Sequence, residues 1–127
     1  MALKVELKPG ERIIIGDSVI TNSNQRTRLF IEGDAPILRE KDVITASEAN
    51  SPARRIYLAL QLMYISRDPE TLRREYETLA REFVEAAPSS APIIDTINTL
   101  VTDGEYYRAI KQARELVLFE ERLIGHA

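Results

Sequence analysis

A change of hydrophobic period near residue 45 constrains this chain more than any other feature. Up to Thr45, apolar and polar residues alternate and turn residues recur every few positions. After Asn50, apolar residues return every three or four positions and the connections carry proline. Period two is the mark of a strand with one buried face, and a period near 3.6 that of an amphipathic helix. Both patterns in series within 127 residues predict an α+β protein. Its parts are a small antiparallel β-module over residues 1–48 and an α-helical bundle over residues 49–127.

Within the β-module, Ala2 to Leu7 sets Leu3, Val5 and Leu7 on one face and Lys4 and Glu6 on the other. Pro9-Gly10 is a turn, and Arg12 to Ile15 is a short strand whose three isoleucines predict burial on both faces. Gly16-Asp17 turns the chain into Val19 to Asn22, and Ser23-Asn24-Gln25 forms a polar tip. Arg26 to Glu32 alternates again, with Arg26, Arg28, Phe30 and Glu32 on one face. After Gly33-Asp34-Ala35-Pro36, Ile37 to Glu40 is a last short strand. Connections this short allow only antiparallel pairing.

The helices carry their own start signals. Ser51-Pro52 reads as an N-cap followed by proline at the first helical position, opening a helix to about Ser66. Asp68-Pro69 repeats the signal ahead of a stripe of Leu72, Tyr76, Leu79 and Phe83, and Pro88 closes that helix. Ser90-Ala91-Pro92 opens a third helix ending at Gly104, a C′ glycine. A fourth begins near Glu105 and is expected to bury Tyr106, Ile110, Ala113, Val117 and Ile124. Short links between four helices predict a small bundle, with the tyrosines packed in or near its interior.

Composition removes several functions. With no cysteine there is no disulfide framework, thiolate metal site or cysteine nucleophile. The single histidine, His126, excludes a His-based triad or a multi-histidine metal site. The glycines stand apart, so no phosphate-binding glycine loop exists, and no serine occupies a nucleophile elbow. Glu6, Asp17, Glu32 and Asp34 read as solvated turn and edge positions. No catalytic residue, metal site or cofactor is therefore expected. Neither a membrane span nor a signal peptide is expected, and a cytoplasmic location is. Residues 1–45 hold seven of the 17 bases and seven of the 20 acids, so the whole net charge of −3 falls in the helical part.

A neutral module can still present a basic face if its acids point elsewhere. Arg26 and Arg28 share a strand face with Phe30. Lys4 and Lys8 lie on the first segment, and Arg39 and Lys41 close the module. Guanidinium and ammonium groups hold phosphates and planar groups stack on bases, so this set suits single-stranded RNA. The candidate RNA-binding residues are Lys4, Lys8, Arg26, Arg28, Arg39 and Lys41.

The run Gln25-Arg26-Thr27-Arg28-Leu29-Phe30-Ile31-Glu32-Gly33-Asp34-Ala35-Pro36-Ile37-Leu38-Arg39-Glu40-Lys41, with Met1 to Arg12, Gln61-Leu62-Met63-Tyr64 and Asp103-Gly104-Glu105-Tyr106-Tyr107, closely resembles the FlbT family of flagellin regulators. That resemblance spans essentially the whole chain. It implies binding to the 5′ untranslated leader of flagellin mRNA, with limited translation and faster mRNA decay. It also implies a link to FlaF, a second small flagellar protein. Pro9-Gly10-Glu11-Arg12 through Gly16-Asp17-Ser18-Val19, then Gly33-Asp34-Ala35-Pro36 and Arg39-Glu40, looks like the carbon storage regulator family, CsrA. This second resemblance implies a strand-exchanged homo-oligomer and RNA contacts at positions matching Val5, Leu7, Lys8 and Arg39, although Leu7 stands where that family has a basic residue.

The expected function is thus a post-transcriptional repressor acting on a flagellin leader. The alternative is an interaction adaptor whose helices dock FlaF or flagellin without touching RNA. A metal-dependent nuclease would need clustered carboxylates.

Overall fold

A computed structural model describes residues 2–125 of the chain; His126 lies outside them. The chain divides into two compact units, Met1–Val43 and Ile44–Ala127. The loop after Val43 goes with the helices because Gln61 grips it: its amide donates to the Ile44 carbonyl at 3.0 Å and its oxygen accepts from the Ile44 N–H at 2.8 Å.

Among the described residues the first unit contains five strands: β1 (Leu3–Leu7), β2 (Arg12–Ile15), β3 (Ser18–Thr21), β4 (Thr27–Ile31) and β5 (Ile37–Arg39). They form a two-stranded ribbon, β1-β4, and a three-stranded sheet in the order β3-β2-β5, with every pairing antiparallel. In the ribbon, Val5 faces Leu29 and Leu3 faces Ile31. In the sheet, Ile13 and Ile15 share a face with Ile37. These apolar faces meet: Val5, Leu7 and Ile13 are buried, and Ile15, Leu29, Ile31 and Ile37 pack around them. Leu3, expected on the buried face, is exposed; it sits at the outer end of the ribbon. Ile13 is fully buried, but Ile14 and Ile15 only half so. Gly16 turns β2 into β3 with φ +62°, a left-handed conformation that favours glycine, and its N–H donates to the Pro36 carbonyl at 2.8 Å.

The second unit contains α1 (Pro52–Ile65), α2 (Glu70–Ala86), α3 (Ala91–Thr102) and α4 (Tyr106–Gly125) among the described residues. Ser51 caps α1 as expected, its side chain accepting from the Arg54 N–H. Gly104 ends α3 at φ +75°; its N–H donates to Val101 and that of Glu105 to Leu100, the paired bonds of a Schellman cap. Helix α4 packs on α1 and α3, and α1 on α2. Tyr76 and Phe83 are buried, whereas Leu72 and Leu79 of the same stripe are half-buried. On α4 the enclosed positions are Ala109, Ile110, Ala113, Leu116 and Glu120, with Tyr106 and Val117 at the margin.

Ile124 departs from the expectation, at 67 % exposed. Its helical face is the enclosed one, but the neighbour runs out. The first turn of α1 already lies at Glu120, whose Oε2 accepts from the Ala53 N–H at 2.9 Å, and Ile124 lies one turn further on. The same bond explains the burial of Glu120, because α1 has no acid in its own first turn to meet its free N–H groups.

Candidate nucleic-acid interface

Register builds a charged face on the β1-β4 ribbon. Burying Val5, Leu7 and Leu29 turns the opposite side chains outward. Lys4 stands across from Phe30, and Glu6 across from Arg28. Lys8 and Arg26 continue the alternation just beyond the paired ends, and both are exposed. Four of the six expected RNA-binding residues, Lys4, Lys8, Arg26 and Arg28, therefore lie along one exposed ribbon, with Phe30 among them at 67 % exposed.

Arg39 and Lys41 are placed otherwise. Arg39 shares the inner face of the sheet with Ile13, and its Nη2 donates to the backbone carbonyl of Glu6 at 3.0 Å. It ties the sheet to the edge of β1, with its Nε buried. Lys41 sits in the short 3-10 turn Glu40–Asp42 that follows β5, and is exposed. Val5 and Leu7, two of the positions implied by the CsrA resemblance, are core residues whose side chains face away from the charged ribbon.

Acids temper this face. Glu6 meets Arg28 at 3.3 Å with both side chains about half-exposed, and Arg12, on the sheet, meets Glu40 at 3.5 Å. Such exposed pairs are weak and open to exchange, so a phosphate can take the place of the Glu6 carboxylate on Arg28. Lys4, Lys8 and Arg26 form no salt bridge that the described residues record.

Sequence reasoning missed two residues that shape the ribbon. One is Glu6, the counter-ion just described. The other is Asn22, whose Nδ2 lies within bonding distance of the Leu7, Lys8 and Gln25 carbonyls at 3.2, 2.8 and 2.8 Å, while its Oδ1 accepts from the Thr27 hydroxyl at 3.0 Å. It fixes the end of the ribbon from which Lys8 and Arg26 project. An asparagine between a strand and a polar tip is a local signal for side-chain bonding to backbone, but not for these distant partners. Among the described residues no cluster of acids or histidines could hold a metal ion. No described helix is long and apolar enough to cross a membrane.

The model of the family described as "Flagellar protein FlbT" matches residues 3–124. This chain belongs to the FlbT family. It is 58% identical over 126 residues to a Bradyrhizobium diazoefficiens protein named "Probable flagellum biosynthesis repressor protein FlbT 1", covering 98% of this chain and 86% of the relative. A Rhodopseudomonas palustris protein named "Probable flagellum biosynthesis repressor protein FlbT" is 48% identical over 125 residues, covering 98% of this chain and 99% of the relative. The Caulobacter vibrioides "Flagellum biosynthesis repressor protein FlbT" is 33% identical over 129 residues, covering 99% and 92%. No solved structure matches the chain.

Proposed function

We propose that this FlbT-family chain represses flagellin synthesis after transcription, by binding the 5′ untranslated leader of flagellin mRNA through the outer face of its β1-β4 ribbon. The observation that carries the reading is the register that sets Lys4 and Arg28 on one exposed face, with Lys8 and Arg26 exposed just beyond its paired end. The relatives' names, as repressors of flagellum biosynthesis, support the regulatory part. The mechanism is occupancy in the cytoplasm: a bound leader is withheld from ribosomes or presented to nucleases, and this chain makes or breaks no bond. Arg39 acts as a scaffold for that face. Lys41 contributes from the turn after β5. The helical unit, which holds the whole net charge of −3, repels phosphate and suits a protein partner of the FlaF type instead.

A second reading, the adaptor without RNA contact, draws support from the helical unit. Leu79, Phe83, Leu123 and Ile124 line an open groove of about 500 Å³ beside the start of α1. Leu123 and Ile124 are exposed there, and an apolar groove is what a partner helix takes up. The two readings separate in a salt-titrated binding assay of the purified protein with a flagellin leader, with and without FlaF. Steep loss of binding with salt by the protein alone supports the RNA reading. Absence of leader binding at low salt, with FlaF still captured, replaces it by the adaptor.

A further inference from the structure

We infer that Phe30 is a stacking platform for an unpaired base, so that the ribbon takes single-stranded rather than duplex RNA; the inference rests on the RNA-binding reading above. Phe30 is the most exposed aromatic ring consistent with a planar ligand site: it is 67 % exposed on a strand whose alternate residues, Leu29 and Ile31, turn inward to the core. The register turns the ring to solvent. Two cations lie beside it on the same face, with Glu6 paired to one of them. Lys4 stands directly opposite on β1, at the side-chain spacing of about 5 Å that antiparallel partners have. Arg28 lies two residues along the same strand, about 7 Å away on the same face.

A base laid on the ring would therefore have an ammonium on one side and a guanidinium along the strand, each able to reach a flanking phosphate. Stacking is tolerant of sequence because every base has a π-face, and the two cations supply salt-dependent affinity. Duplex RNA cannot use this site, since its bases are stacked on one another and its deep groove is closed to side chains. The charge around the ring argues against an apolar protein segment as its occupant. Lys4 and Arg28 flank it, and covering them with apolar surface would strip water from the Lys4 ammonium and from the exposed Arg28–Glu6 pair.

The chain has no tryptophan, so Phe30→Trp installs a unique reporter at an exposed position that the fold tolerates. The test titrates wild type, Phe30→Trp, Phe30→Ala and Arg28→Ala with a single-stranded oligoadenylate on the order of ten nucleotides and with a duplex of equal length. The expected result is saturable quenching of the Phe30→Trp emission by the single strand and not by the duplex. Affinity for the single strand should fall roughly 5- to 150-fold in Phe30→Ala. If Phe30→Ala binds like wild type while Arg28→Ala binds more weakly, the stacking site is wrong and the RNA-binding reading stands. If wild type binds neither of these RNAs nor the flagellin leader at low salt, both are wrong. Circular dichroism of the variants separates loss of binding from loss of fold.

Discussion

The helical unit and the β-unit use their apolar residues differently. Helix α4 lies between α1 and α3, and most of its inner positions, from Ala109 to Glu120, are enclosed. The β1-β4 ribbon has one neighbouring layer and can bury one face only, so Val5 and Leu7 go in and Lys4, Glu6, Arg28 and Phe30 stay out. A residue enclosed on several sides answers to packing, while the free face of a ribbon answers to whatever meets it from solvent. This difference predicts that substitutions in the helices change stability, and that substitutions on the outer ribbon change binding.

The largest effect should come from the helical interior. Phe83→Ala removes a buried ring that also packs against Phe119 with centroids 6.5 Å apart, and should cost roughly 3–5 kcal/mol in denaturant unfolding. A smaller loss would mean that the groove beside Phe83 lets the site relax. Glu120→Ala takes the acceptor from the buried Ala53 N–H and should cost about 1–3 kcal/mol. Glu120→Gln, which keeps an acceptor, should recover much of it.

Arg39→Ala sharpens the comparison from the β side. If Arg39 is a scaffold residue holding the Glu6 carbonyl, its removal should lower stability by about 1–2 kcal/mol. A variant with unchanged stability but weaker RNA binding would return Arg39 to the ligand surface.

Tyr76→Phe removes the hydroxyl that donates to Asn98 Oδ1 at 2.6 Å and should cost about 0.5–1.5 kcal/mol at neutral pH. Burial holds the Tyr76 hydroxyl well above its ordinary pKa of 10.0. The unfolded chain therefore releases this proton first. Its contribution is present below pH 10 and is lost as pH rises beyond that, toward the folded value. Thermal melts should show wild type falling more steeply than Tyr76→Phe in that alkaline range.

The smallest stability effect belongs to the ribbon. Glu6→Gln and Arg28→Ala should each stay within about 0.5 kcal/mol of wild type, because their ion pair is exposed. In binding they should move in opposite directions, Glu6→Gln tightening RNA by up to about fivefold as Arg28 loses its competing carboxylate.

Much of the fold was legible in local pattern. Alternation in the first and fourth segments, and turn residues around the others, marked the five described strands to within a residue or so; Ser51-Pro52 marked the start of α1, and Gly104 marked the end of α3. These signals work because each depends on neighbours in sequence. What was not legible has the opposite cause. Ile124 keeps the right helical phase but outlasts α1, the Arg39 guanidinium bonds the distant Glu6 carbonyl, and Glu120 caps a helix 67 residues earlier in the chain. The candidate site divides in the same way. Strand parity sufficed to group Arg26, Arg28 and Phe30, whereas pairing of Lys4 and Glu6 opposite them depended on the β1-β4 register.

The most direct test is the salt dependence of flagellin-leader binding by wild type and by the Arg26→Ala, Arg28→Ala double variant. If both guanidinium groups hold phosphates, the double variant stays folded, binds more weakly, and its log–log salt slope is shallower by about 1.4 for a single strand. A folded double variant with wild-type affinity and slope across all salt concentrations would contradict the assignment of the ribbon as the RNA-binding face.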